Sequence, residues 1–176
     1  MSSMKLPTPI EAESAAEMFV AVRSVAEHSF FAVAEQHGEE VFDRLARQVP
    51  QWLVATVRLE NASIAGSISC TVSDELARAL FDAFAGRDPA DPPPATDQIH
   101  DLVGEFSNMV CGAWLRRVAG AEISTLSHPV VTAVRAPGAA GNLRLLAAVD
   151  DRPLLVDLFL PVRSGRAATD RPAMRG

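Results

Sequence analysis

The segment Asp97–Ala119, DQIHDLVGEFSNMVCGAWLRRVA, decides how the rest of this 176-residue chain is read. At about 100° per residue, Ile99, Leu102, Val103, Phe106, Met109, Val110, Ala113 and Trp114 fall on one broad apolar stripe. The segment therefore predicts a helix with that side against a core. The other side carries Asp97, Asp101, Glu105, Asn108 and Gly112 at three- and four-residue steps, a narrow polar row. Gly104 sits beside it. A glycine inside a helix costs about 1 kcal/mol against alanine. Two of them beside a carboxylate and a carboxamide imply that something comes very close to this backbone.

Outward from this helix, the flanking sequence supplies a core and a sheet. Thr8-Pro9-Ile10-Glu11 combines an N-cap, a first-turn proline and a capping glutamate. Ala15, Met18, Phe19, Val22, Ala26, Phe30 and Val33 then share an arc, predicting a helix that Gly38 closes. Val41, Phe42 and Leu45 mark a short amphipathic helix stopped by Pro50. From Trp52 the period changes to two: Leu53, Ala55, Val57 and Leu59 take one side of a strand that turns at Glu60-Asn61-Ala62 and returns through Ile68, Cys70 and Val72. Ser73 is placed to cap a further helix that turns Leu76, Ala77, Leu80, Phe81 and Phe84 inward before Gly86. The proline-rich run 87–96 cannot continue either helix. Beyond the central helix, 122–127 and 130–135 predict strand segments broken at Pro129, and 143–149 with 154–160 predict a second hairpin. Residues 1–7 read as a flexible terminus and 163–176 as a disordered tail, leaving one domain over 8–162.

With 48% hydrophobic residues the chain can fill one core. Its net charge of −6 lacks the basic footprint of a general nucleic-acid binder. No apolar run reaches the ~18 residues of a membrane span, and the start lacks a secretory signal, so a cytoplasmic protein is expected. Cys70 and Cys111 form no disulfide framework or zinc spacing and read as two reduced, packed thiols. His28, His37, His100 and His128 have no ligand spacing, and a carboxylate metal site would want a histidine where Asn108 stands. Polar residues on the outer face of an amphipathic helix are ordinarily just solvated, which is the plain alternative for Glu105 and Asn108.

Glu105-Phe106-Ser107-Asn108-Met109-Val110-Cys111-Gly112 resembles the E-x-x-N-M-x-x-G helix of the CheC/CheX family of chemotaxis phosphatases, which hydrolyse the phosphoaspartate of response-regulator receiver domains. The order of elements over roughly residues 8 to 160 is similar too, and the single motif resembles the CheX branch. The resemblance implies an α/β fold of the α+β kind, a mainly antiparallel sheet covered by long helices. It implies that Asn108 orients a water, that Glu105 pairs with the receiver's lysine, and that the divalent metal, Mg2+, is held by the receiver. This chain would then bind no cofactor of its own. Asp101, Gly104 and Gly112 are expected to contact that partner, Asp101 sharing its row with the commoner role of an acid near a helix N-terminus. Phosphoaspartate is an acyl phosphate already prone to hydrolysis, so positioning a water can be enough. A homodimer is expected as well, from the family and from the long apolar strands 142–149 and 154–160 taken as an open edge. The alternative function is a receiver-binding or flagellar-switch-like module of the same fold that hydrolyses nothing.

Overall fold

An antiparallel sheet forms the middle of the protein, in a computed structural model that describes residues 9–61, 64–88, 90–119 and 123–160. In chain order the elements are α1 (Pro9–Phe30), β1 (Ala34–Gln36), α2 (Glu39–Ala46), β2 (Trp52–Glu60), β3 (Ala65–Ser73), α3 (Asp74–Ala85), α4 (Thr96–Val118), β4 (Thr125–Leu126), β5 (Val130–Val134), β6 (Leu143–Val149) and β7 (Arg152–Phe159). The strand order is β1-β6-β7-β3-β2-β4, with β5 also paired to β2. The fold is thus helices on a mainly antiparallel sheet, the class expected from the sequence. The terminus 1–7, the Thr8 cap, Ala62 and the tail 163–176 lie outside the described residues.

The period-two pattern of each strand becomes a shared face because the registers align. Ala55 stands opposite Cys70 and Cys70 opposite Val156, so the inward rows of β2, β3 and β7 form one apolar surface. Helices α1, α3 and α4 cover it in a continuous core. The opposite face is covered at one end by α2, whose Phe42 packs on Trp52 and Leu155. Local signals end the elements as their residues dictate: Ser73 Oγ accepts the Leu76 N–H at 3.1 Å, and Gly86 closes α3 at φ +61°. Asp150 and Asp151, at φ +46° and +62°, make the two-residue turn between β6 and β7.

Three expectations are corrected. Helix α1 stops at Phe30, not at Gly38: Phe31 turns at φ +54°, and residues 34–36 pair with Val149, Ala148 and Ala147 of β6. Asp150 fixes that exit, its Oδ1 accepting the Val33 N–H at 2.9 Å, and Val33 is left 60% exposed. Phe84 does not face inward but is 58% exposed at the end of α3, its ring 5.8 Å from that of Phe30. The hairpin taken as an open edge is mostly interior: β7 lies between β6 and β3, and β1 covers Ala147–Val149 of β6.

Helix α4 runs antiparallel to α1, with Arg117 paired to Glu17 at one end and the Phe30 and Phe106 rings 5.6 Å apart at the other. Held between α1, the sheet and β5, it buries more than its apolar stripe: Gly104, Ser107, Cys111 and Leu115 are buried too. Ser107 Oγ is satisfied by donating to the Val103 carbonyl at 2.9 Å. What remains outside is a narrow strip of α4.

Candidate functional site

That outer strip carries the motif. Glu105 is exposed and Asn108, one turn on, is half-buried. The two residues form a low ridge between two clefts, because both residues line each of them. The first, about 520 Å³, lies toward β5 and is walled by His100, Asp101, Gly104, His128, Pro129 and Val131. The second, about 360 Å³, lies toward α1 and is walled chiefly by Ser24, His28, Met109, Gly112 and Arg116.

The Asn108 amide is anomalous. Its Oδ1 is buried without a hydrogen-bond partner among the described residues. A buried carbonyl oxygen left unpaired costs about 1–3 kcal/mol, so such atoms are rare in folded proteins. The other such atom among the described residues, Trp114 Nε1, sits deep in the core, whereas Asn108 borders both clefts. A carboxamide carries two donors and an acceptor on a short stem, and here none is committed among the described residues.

The two glycines differ. A Cβ on Gly104 would stand 3.0 Å from Pro129 Cγ, so the close approach at this position is made by the chain itself. A Cβ on Gly112 would meet nothing nearer than Arg116 Nη1 at 3.8 Å, which leaves that stretch of backbone open to another molecule. Asp101 is exposed on the rim of the β5-side cleft. Asp97 lies outside both clefts, where its Oδ1 accepts the Gln98 N–H at 2.9 Å in the first turn.

The structure adds residues that the polar row did not include. Arg116 continues it by one turn beyond Gly112, and His100 lies beside it on the Gly104 side; 100, 104, 108, 112 and 116 are four apart, and that spacing was a usable signal. His128 and Pro129 had none, because they reach the cleft only through the pairing of β5 with β2. On the α1 side, His28 Nδ1 is 2.8 Å from the Ser24 carbonyl, which holds the ring along its own helix.

Cys111, within the motif in sequence, is turned into the core. Burial pushes both its thiol and that of Cys70 up to about 12, so each remains protonated and behaves as a small apolar side chain. Among the described residues no group of three or more His, Cys, Asp or Glu is placed to hold a metal ion. No helix of the described residues is long and apolar enough to cross a membrane.

A family model described as Chemotaxis phosphatase CheX matches residues 53–136, the span from β2 to β5 that contains α4. Among solved structures, a chemotaxis protein CheX from Vibrio vulnificus is 16% identical and superposes with a TM-score of 0.67 over 88% of this chain and 100% of that one. A CheX from Desulfovibrio desulfuricans is 17% identical, with a TM-score of 0.63 over 85% and 99%. The CheX of a CheX–CheY–BeF3–Mg2+ complex from Borrelia burgdorferi is 15% identical, with a TM-score of 0.55 over 82% and 96%. No curated protein matches the chain. At such identities the structures show a shared fold, while the family model matches the part of the chain that carries the Glu105–Gly112 motif. Together they show that this chain shares the CheX fold and, over the segment that carries α4, resembles the CheC/CheX-like chemotaxis phosphatase family.

Proposed function

We propose that this chain hydrolyses the phosphoaspartate of a response-regulator receiver domain, and that Asn108 and Glu105 carry the activity. The observation that supports this most is the Asn108 amide, held half-buried on a rigid helix between two clefts with its Oδ1 unpaired. Hydrolysis needs a water in line with phosphorus: its oxygen bonds to phosphorus as the acyl C–O–P linkage breaks at the P–O bond, releasing phosphate and the aspartate carboxylate. The water loses its proton to phosphate oxygen or solvent. A carboxamide can accept a hydrogen bond from that water and donate to a phosphoryl oxygen, and a half-turn of the terminal amide exchanges the two roles. The aid is positional and needs no base.

Glu105, exposed beside Asn108, supplies a charge for docking. A cation at the receiver's phosphorylation site would pair with it, fixing the register of α4 on the partner. Asp101 and the open backbone at Gly112 lie on the same strip and complete the contact surface, with Gly104 setting the cleft floor against Pro129. The Mg2+ that favours the chemistry belongs to the receiver in this reading, consistent with a related CheX having been solved with CheY, BeF3 and Mg2+. A homodimer through the part of β6 that β1 leaves uncovered belongs to the same proposal; light scattering would then read twice the 18.8 kDa chain mass.

The test is release of inorganic phosphate from a 32P-labelled receiver with and without the purified chain. Acceleration at catalytic ratios supports a phosphatase. Tight binding of the phosphorylated receiver with no acceleration would replace it by a receiver-binding module.

A further inference from the structure

The strip around Glu105 and Asn108 is acidic, with Asp97 and Asp101 on the same row, yet the group it would act on is a phosphoryl anion. A site of that sign needs a cation of its own to favour the phosphorylated over the unphosphorylated partner. Arg116 is placed to supply one. It is exposed, two turns beyond Asn108 on the same row, and it lines the α1-side cleft with Glu105, Asn108 and Gly112. Its neighbour Arg117 is engaged by Glu17 of α1. Arg116 makes no ion pair or hydrogen bond among the described residues, so its fork of donors is uncommitted.

Gly112 explains the pose. Long helical side chains lean toward the N-terminus over the preceding turn. Arg116 does so, with Nη1 only 3.8 Å from where a Cβ on Gly112 would be. Lacking that side chain, Gly112 leaves a shelf on which the guanidinium lies against the helix. The four residues from Gly112 back to Asn108 span about 6 Å of axis, within reach of a group seated over the Asn108 amide. A guanidinium binds phosphoryl oxygens in a bidentate manner, more strongly than it binds a neutral acceptor.

We infer that Arg116 is a specificity residue that reads the phosphoryl group of the docked receiver, the cation that makes this acidic surface select the phosphorylated partner. The inference rests on the phosphatase reading above, and it concerns recognition rather than the water.

The experiment measures binding by calorimetry to a receiver domain that the wild-type chain dephosphorylates, once loaded with beryllofluoride and Mg2+ and once unloaded. Arg116→Gln should weaken binding of the loaded receiver about tenfold and leave the unloaded one unchanged, collapsing the preference. Arg116→Lys, which keeps the charge but not the fork, should fall between, and Arg117→Gln should bind like the wild type. Equal weakening toward both forms would overturn the inference in favour of a general electrostatic contact, and an unchanged preference would overturn it outright. In both cases phosphate release by the wild type leaves the phosphatase reading standing. If no phosphorylated receiver is dephosphorylated by the wild type, that reading falls and takes this inference with it.

Discussion

Pro129 Cγ stands 3.0 Å from the point where a Cβ on Gly104 would lie. The proline precedes β5, whose pairing with β2 fixes it against α4, so the glycine and the strand position each other. Gly104→Ala gains helix propensity but must displace a ring with little freedom to move. We expect a net loss of about 1 kcal/mol, read as a lower midpoint in urea, together with slower phosphate release because the cleft wall beside Asn108 shifts.

Gly112→Ala should do the opposite to stability. Its Cβ would meet only Arg116 Nη1 at 3.8 Å, an ordinary contact, so the substitution gains up to ~1 kcal/mol of helix propensity. If the partner approaches this backbone, the same methyl group obstructs docking. A variant that melts higher and binds a receiver more weakly is the expected pair of results; unchanged binding would mean that no partner approaches the backbone at Gly112.

The two thiols make alkaline stability a test of the core. Burial raises each from 9.0 to about 12, so between those values the unfolded chain loses thiol protons that the folded chain keeps. The unfolded state then binds fewer protons, and stability must fall as pH rises through that window. Competing groups are few: the chain has no tyrosine and its lysine is Lys5. Urea midpoints at pH 8 and pH 10.5 should therefore differ, the second being lower, and replacing both cysteines by alanine should flatten the difference.

Strands were legible because alternation such as Leu53, Ala55, Val57 and Leu59 survives any arrangement that buries one face. Caps at Ser73 and Gly86 were legible for a similar reason, since their partners are a few residues away. The end of α1 was not. Its apolar arc continues to Val33, and only the distant β6 edge, with Asp150 pinning the Val33 amide, makes residues 34–36 a strand. The polar row of α4 followed from helical period, as did the possibility of extending it to Arg116. That His128 and Pro129 share its cleft depends on a long-range strand pairing that no local pattern encodes.

Glu105→Ala should separate docking from chemistry. Glu105 is exposed, so its loss should shift stability by no more than ~0.5 kcal/mol. It should weaken association with the phosphorylated receiver and make what remains less dependent on salt, since a charge leaves the interface. Titration at two ionic strengths reads both effects; equal salt dependence in variant and wild type would remove Glu105 from the interface.

Asn108→Ala bears on the chemistry itself. Because the amide oxygen is buried and unpaired, removing it should leave the melting temperature equal or higher, as expected where a side chain is kept for function at some cost to stability. The most direct measurement is the rate constant for phosphate release from a phosphorylated receiver at saturating concentration, wild type beside Asn108→Ala. A fall of roughly 10²-fold with binding and melting intact is predicted, in the range for other positioned polar groups; full activity in the folded variant would contradict the assignment of Asn108 as the group that holds the water.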